Sequence, residues 1–395
     1  MEFILRKIHK AGSLSWLYLA NLFVGLHYFT LQFVNSSFFS TYLGTDAVGI
    51  VFSLAALLTL LTLMEGPRFF AHIGVYKTAR TAALLDLMAT AGIVVVSHET
   101  LLVLFFVMHT VAMGIILLCL DLYLEQQNQG DTEEIGNVRG LFLTVATLAA
   151  LGAQLLTGLL ASSDPSYRTV YFTSMLFVIP FLAILVAQLR TCTYDPHHAY
   201  SFIATIRTLR RNSDIFHSGV AQFLLRFYFS WMTIYLPIHL HLTIGMPWEE
   251  IGLVLFIMMI PYLIIEWPAG LIADRWLGEQ ELLTTGFIVA AGATYALTLI
   301  TTANIVLWAV VLFVTRIGTA LIESMGETHF YKRVRSDDAD IISAYHMLKP
   351  LADIVGPLCA TGILFLTDSI NVLWYLLAFI MLIGLTSAAR IVDSK

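Results

Sequence analysis

Charge is scarce in this chain. Only 12% of its residues are Asp, Glu, Lys or Arg, against about 25% in soluble globular domains. Cysteine is scarcer. Cys119 and Cys359 stand in apolar runs and Cys192 in a connector, and no spacing suggests a disulfide framework or a metal knuckle. A Gly-x-x-x-x-Gly-Lys-Ser/Thr loop is missing, which argues against ATP-driven work by the chain alone. So is a His-Glu-x-x-His helix, or a nucleophile with its base, so a polytopic membrane enzyme has no visible catalytic set. Nothing in the sequence calls for a cofactor, a metal or a nucleic acid. The formal net charge of −6 says little about partners, because its distribution matters more than its sum.

Apolar residues make up 58% of the chain and its mean hydropathy is +0.81. A membrane-crossing helix takes about 20 such residues, and the chain reads as about twelve apolar runs with short connectors. They lie near 14–38, 47–65, 79–97, 101–125, 138–161, 168–190, 216–240, 249–272, 282–302, 305–329, 341–366 and 370–390. That leaves no room for a sizeable soluble domain. The expected fold class is an all-α polytopic membrane protein. Arg6, Lys7 and Lys10 precede the first run, which is too long and too polar for a cleaved signal.

Orientation follows from lysine and arginine. With a cytoplasmic N-terminus, 17 of the 21 basic residues fall in cytoplasmic segments. The opposite side holds only Arg168, and Arg226, Arg316 and Lys349 lie within spans. Both termini are expected in the cytoplasm. The longest connector, 191–215, carries Phe202, Ile203, Ile206 and Leu209 at helical spacing beside Arg207, Arg210 and Arg211. That pattern suits a basic amphipathic helix on the inner membrane surface.

The halves repeat weakly. Glu65-x-Pro67 recurs as Glu266-x-Pro268, Asp121-xxx-Glu125 as Glu323-xxx-Glu327, and Asn21 as Gln222, at offsets of 201 or 202 residues. Several coincidences at one offset support two parallel six-helix halves. The expected organisation is a bundle over 1–190, a linker over 191–215 and a second bundle over 216–395.

The connector after the eighth run contains Gly270-xxx-Asp274-Arg275-xx-Gly278. It resembles the loop signature of the major facilitator superfamily of secondary transporters, with one extra residue before the last glycine and Glu279 where that family has a basic residue. The first-half copy, Gly66-Pro-Arg-Phe-Phe-Ala-His-Ile-Gly74, lacks the Asp-Arg core. Asp131-Thr-Glu-Glu-Ile-Gly-Asn-Val-Arg-Gly140 resembles the same family's loop between spans four and five. The resemblance covers the whole chain and is greatest to uncharacterised bacterial members. It implies twelve helices in two pseudo-symmetric halves, a multi-pass protein of the cell (inner) membrane, and alternating access around a cavity lined by spans 1, 4, 7 and 10. Fold alone does not fix the cargo.

Polar residues in those spans fall on defined faces. Span one presents Asn21, Tyr28, Gln32 and Asn35; span seven presents Gln222, Arg226, Ser230, Thr233 and Pro237. Span ten aligns Arg316, Glu323 and Glu327, and span eleven His346, Lys349 and Asp353. An intramembrane charge costs about 2.5–3.5 kcal/mol at the bilayer centre on insertion scales, so these groups must face the interior or each other. The candidate cavity is Asn21, Tyr28, Gln32, Gln222, Arg226, Arg316 and Glu323, with Arg226 or Arg316 as anchor. Glu323, Asp121 and Asp353 are candidate proton carriers. The alternative is internal neutralisation, with Arg316 paired to an acid and Lys349 to Asp353. For Lys349–Asp353 neutralisation is the preferred reading, and for Arg226 and Glu323 function is.

Gly270, Asp274, Arg275, Gly278, Glu327, Glu125 and Glu266 are assigned to gating. In the resembling family an acid at the cytoplasmic end of span ten pairs with the arginine of the loop signature, which here joins Glu327 to Arg275. Arg68 is the first-half candidate base, and Glu65 has two readings, gate residue or interfacial acid. His239-Leu-His241 looks like a metal pair, but residues two apart on a helix diverge, so surface histidines are expected. His197-His198 lacks companion ligands. Gly356-Pro357 is expected to bend span eleven. Trp248 and Trp374 look like interfacial anchors.

The leading expectation is a monomeric secondary transporter that moves a small solute, with proton coupling and with lipid around it. Import and export stay open. Efflux of cationic or amphipathic compounds is an alternative, weakened because Gly152-Ala153-Gln154 stands where proton-driven drug exporters carry a glycine–proline signature. A transport-inactive solute sensor of the same fold is another.

Overall fold

The computed structural model describes residues 2–127, 132–190, 192, 213–275, 277–334, 339–367 and 369–391, with side chains for 14–66, 68–126, 138–190, 192, 215–265, 268, 277–334, 341, 345, 347–367 and 369–391. The expected linker helix over 202–211 lies outside these residues.

In a lipid environment every backbone N–H and C=O must find a partner within the protein, and an apolar chain meets that requirement with helices. The described elements are α1 (Glu2–Gln32), α2 (Val34–Leu43), α3 (Thr45–Met64), α4 (Gly66–Ile73), α5 (Val75–Val95), α6 (Glu99–Gln127), α7 (Thr132–Ser163) and α8 (Arg168–Ala187). There follow α9 (Ser213–Ile238), a π turn (His239–Thr243), α10 (Trp248–Arg275), α11 (Glu279–Leu297), α12 (Ile305–Arg333), α13 (Ala339–Thr367) and α14 (Asn371–Ala388). The segment from Thr132 to Gly140, expected as a loop, is the first part of α7.

Among the described residues, ten helical segments are long and apolar enough to cross a membrane, which makes this a multi-pass membrane protein. Outside that set are α9, which carries His217, Gln222 and Arg226, and α11, which opens on Glu279-Gln280-Glu281.

Two compact units divide the chain, one of Met1–Phe38 with Leu54–Ala199 and one of Phe39–Ser53 with Tyr200–Lys395. In the first, α1 packs on α7 and α8, and α5 packs on α6 and α8. In the second, α9 packs on α13 and α14, and α11 on α12 and α14. These four pairings have counterparts in both units, and in the second α10 also packs on α12.

Small residues let the helices approach. Along α5, Ala79, Ala82, Ala83 and Ala89 are buried. Where α11 crosses α12, a Cβ on Gly318 would meet Ala290 N at 2.5 Å and Gly286 O at 2.7 Å. Only glycine permits that backbone contact.

The single basic residue expected opposite the cytoplasm has a local task. Arg168, at the start of α8, donates to the carbonyls of Val94 and Val96, the latter at 2.8 Å, and to Ser97 Oγ at 2.9 Å. It thereby satisfies carbonyls left open at the end of α5. Asp164 caps the same turn, accepting from Ser166 N at 2.9 Å and Thr169 N at 2.9 Å. Burial works to raise its carboxyl pKa, but the hydrogen bonds from Ser166 and Thr169 outweigh it and hold the group at about 2.

Three sequence expectations are corrected here. His239 is not on the surface: it is 1% exposed and lies edge-on to Trp308 and Trp374, each at 5.6 Å between ring centroids. The π turn extends the helical path past Pro237 and turns His239 inward. Trp248 and Trp374 are not interfacial anchors, being 3% and 0% exposed within the protein. Of the three cysteines, Cys119 is buried, Cys192 half-buried and Cys359 exposed. Burial first, then the charge of Glu125, pushes the Cys192 thiol up to about 11, so it is a poor nucleophile.

Candidate functional site

The second unit concentrates charge between α9 and α12. Arg226, on α9, places Nη2 at 2.8 Å from Glu323 Oε1 and 3.6 Å from Glu327 Oε1, both on α12. Glu323 and Glu327 are four residues apart, so their carboxylates share a face and reach one guanidinium. One turn before Arg226, Gln222 has its amide oxygen turned to accept from Arg226 Nη2 at 2.9 Å and Nε at 3.0 Å. One turn after it, Phe229 lies 5.8 Å below the guanidinium. Four groups thus fix the head of Arg226, two by charge, one by hydrogen bonds and one through its π face. The Arg226 and Glu323 side chains are each 19% exposed, so the pair is reachable.

Arg316 lies two turns before Glu323 on α12 and is 4% exposed. Its guanidinium stands 5.0 Å from the Phe229 ring and 5.8 Å from the Tyr262 ring. No ion pair among the described residues involves it; the alternative reading, in which it pairs with an acid, finds no partner among them, and aromatic faces flank the guanidinium instead. Tyr262, on α10, also meets Thr319 Oγ1 at 3.2 Å. Asp353, on α13, lies within electrostatic range of Lys349 and Arg226. Lys349 is exposed, and the expected ion pair between Lys349 and Asp353 is not among those of the described residues. Their shared face does not bring the ends of the two side chains together.

Of the first-unit candidates, Asn21 is buried and donates to Phe142 O of α7 at 2.7 Å. Tyr28 is partly buried beside Phe29. Gln32 Oε1 is buried without a hydrogen-bond partner among the described residues. Asp121 and Glu125 are exposed. Arg68 pairs with Glu65 three residues before it, at an exposed position.

Among the gating candidates, Glu266, Asp274 and Arg275 have side chains outside the described set, and Gly270 lies within α10. Gly278 precedes α11, and its N–H donates to Glu281 Oε2 at 2.9 Å. Glu279, the departure from the loop signature, is 4% exposed and accepts from Lys332 Nζ at 2.7 Å. An acid at that position is matched by a base at the end of α12.

Sequence reasoning missed a second polar cluster, in the first unit. Asp86 of α5 meets His109 Nδ1 of α6 through Oδ1 at 2.6 Å and His27 Nε2 of α1 through Oδ2 at 2.9 Å. Asp86 is 0% exposed, His27 1% and His109 4%. Each helix contributes one member, so no spacing along the chain announces the set. The available signal was chemical, since any ionisable residue inside an apolar run is a candidate site.

No protein-family model matches the sequence, and no curated protein matches it by sequence. Comparison of structures finds the fold. An auto-inhibited peptide transporter of the POT family matches with a TM-score of 0.74 at 12% identity, over 97% of this chain and 98% of that one. The nucleoside transporter NupG matches with 0.75 at 13% identity, over 97% and 100%. A bacterial homologue of the human lysosomal transporter Spinster, inward-facing and unoccupied, matches with 0.68 at 14% identity, over 97% and 94%. The chain has the major facilitator fold of these proteins.

Proposed function

We propose, from that fold, that this protein is a secondary transporter which moves a small solute across the cell membrane by alternating access. The observation that carries this reading is the Arg226–Glu323 pair, 19% exposed on both sides and held on two different helices of one unit. A buried charge pair is weak evidence for stability, because desolvation offsets much of its attraction. Partial access, and the competing carboxylate of Glu327 at 3.6 Å, favour a pair that exchanges partners.

In this reading Arg226 anchors the polar group of the cargo, Gln222 and Arg316 border it, and Phe229 and Tyr262 supply apolar walls. Glu323 takes up a proton when Arg226 turns to the cargo or to Glu327, which couples transport to the proton gradient. Asp353 and Asp121 are secondary proton candidates, and Asn21, Tyr28 and Gln32 are the cavity candidates of span one. Two carboxylates on one guanidinium disfavour a strongly anionic cargo. The neighbours named for peptide and nucleoside transport fit a polar, neutral or zwitterionic one. Twelve spans, two halves joined through 191–215, cytoplasmic termini and a monomer embedded in lipid complete the picture.

Counterflow in proteoliposomes tests transport directly. Preloading with dipeptides, nucleosides or amines should drive uptake of the labelled counterpart of one class, and Glu323→Gln should retain exchange while losing its response to a pH gradient. Absence of counterflow for every class would sink the transport reading; an undiminished pH response in the variant would remove Glu323 from coupling. The inner gate is assigned to Gly270, Asp274, Arg275, Gly278, Glu327, Glu125 and Glu266. Asp274→Asn should change cysteine labelling from the two faces, and identical labelling would count against that assignment.

A further inference from the structure

We propose that His27, Asp86 and His109 form a site for one divalent first-row transition-metal ion inside the first unit. The donor atoms of the three residues lie within 4.8 Å of one another and come from three separate helices, α1, α5 and α6. Two imidazoles with one carboxylate suit Zn²⁺, Fe²⁺, Co²⁺ or Ni²⁺. Calcium and magnesium prefer all-oxygen shells, and copper(I) prefers thiolate or thioether.

The orientation of His27 carries the inference further. Ser174 Oγ, on α8, donates to the backbone carbonyl of His27 at 2.9 Å. With its proton so placed, the hydroxyl is free to accept from His27 Nδ1, 2.7 Å away. The Ser174 carbonyl lies 3.0 Å from the same nitrogen. The carbonyl can only accept, so Nδ1 carries a proton, and in the neutral ring the lone pair is on Nε2. That lone pair faces Asp86 Oδ2 at 2.9 Å, and neither atom has an aligned hydrogen-bond partner among the described residues. Two electron-rich atoms in that relation call for a positive charge between them, a shared proton or a metal ion, and two imidazoles with one carboxylate supply a ligand set for the metal. A metal-ligating histidine ordinarily donates its other N–H to a carbonyl or carboxylate, which fixes ring and tautomer. His27 has that arrangement through Ser174.

Among the described residues the rest of the recess is apolar. Val24, Met113, Ile116, Val178 and Phe181 line the recess with His27 and Asp86. His27 and His109 meet edge to face, 5.3 Å between centroids, so the rings converge on Asp86 without stacking. Ligands at about 2.0–2.1 Å in a tetrahedral shell lie about 3.4 Å apart. Ion entry then widens the contacts of 2.6 and 2.9 Å by about 0.5–0.8 Å, within reach of small side-chain rotations. Two neutral imidazoles and one carboxylate leave a single positive charge on the complex.

The test uses the full chain in detergent with a purification tag free of histidine. Zinc content is measured as purified, the protein is stripped with a chelator, and Zn²⁺ or Co²⁺ is returned in steps. One ion per chain is expected, with Co²⁺ showing ligand-field bands in the visible. Asp86→Asn and His109→Gln should each abolish that equivalent. Ser174→Ala should weaken it by about 10–100-fold and alter the Co²⁺ spectrum, which loss of packing alone would not do. His239→Gln, buried elsewhere, should leave it intact. The proposal is overturned if wild type takes up no more metal than Asp86→Asn, the result expected of a proton-bridged triad. Should that variant not fold, wild-type metal content decides: no tight equivalent, and no change in Tm on stripping and reloading, overturn it as well. These readouts measure binding and are independent of transport.

Discussion

Removing Arg226 and removing Glu323 should have unequal consequences, although the two side chains form one ion pair. Glu323→Gln leaves the guanidinium with Glu327 at 3.6 Å, the Gln222 amide at 2.9 and 3.0 Å and the Phe229 face. Arg226→Gln leaves two carboxylates on one helix face with their shared cation gone. At an effective dielectric constant of about 20, a pair at 2.8 Å is worth about 6 kcal/mol in gross Coulomb terms, most of it offset by desolvation. Breaking a fully buried pair by deleting one partner costs about 3–5 kcal/mol. With both side chains 19% exposed, about 2–3 kcal/mol is expected for Arg226→Gln and about 1 kcal/mol or less for Glu323→Gln. The double variant should fall short of the sum by about 1–2 kcal/mol, within the range measured for contacting groups. Denaturant unfolding in mixed micelles, followed by tryptophan fluorescence, supplies all four corners of the cycle. Equal single effects, or additivity within about 0.5 kcal/mol, would refute the claim that Arg226 is the hub and Glu323 a replaceable spoke.

Three further outcomes follow from particular contacts. Gly318→Val forces α11 and α12 apart, because even its Cβ would sit 2.5 Å from Ala290 N; a loss of about 1–3 kcal/mol or more should appear as lowered Tm and aggregation in size-exclusion chromatography. Lys332→Gln removes a charge partner of Glu279, which is 4% exposed, and should cost about 1–2 kcal/mol, less than a fully buried pair because Lys332 is 42% exposed. Adding Glu279→Gln should recover most of that loss, and an uncorrected double variant would show that the pair does not matter. Asp164→Ala removes the cap before α8 at about 1 kcal/mol. Its carboxyl is held at about 2 against an ordinary 3.8, so its contribution is full above about pH 4 and fades as pH falls towards 2. The difference between wild type and variant should shrink over that window; a difference that persists at pH 2 would contradict the hydrogen-bonded carboxylate.

The parts of this protein that are legible in its sequence are those in which one helix carries the whole pattern. Apolar runs give the helices, because the membrane leaves the backbone no other solution. Gln222 and Arg226 are four residues apart, and so are Glu323 and Glu327, so the polar part of each face follows from spacing alone. The contact between those faces does not, since nothing in a separation of 97 residues encodes which rows of α9 and α12 meet. His27, Asp86 and His109 are hidden for the same reason in stronger form: three helices each give a single polar residue, and a face needs at least two. His239 shows the converse error. Gly245 and Pro247 mark a turn, but a turn signal does not say how far the preceding helix winds. One π turn is enough to carry an apparent surface histidine between Trp308 and Trp374. In a chain with so little charge, each ionisable residue in a span marks a place where the fold must supply a partner. A shared helix face names candidates, as with Glu323 and Glu327, but not contacts: Lys349 and Asp353 share a face without pairing, and Arg226 pairs with Glu323 across two helices.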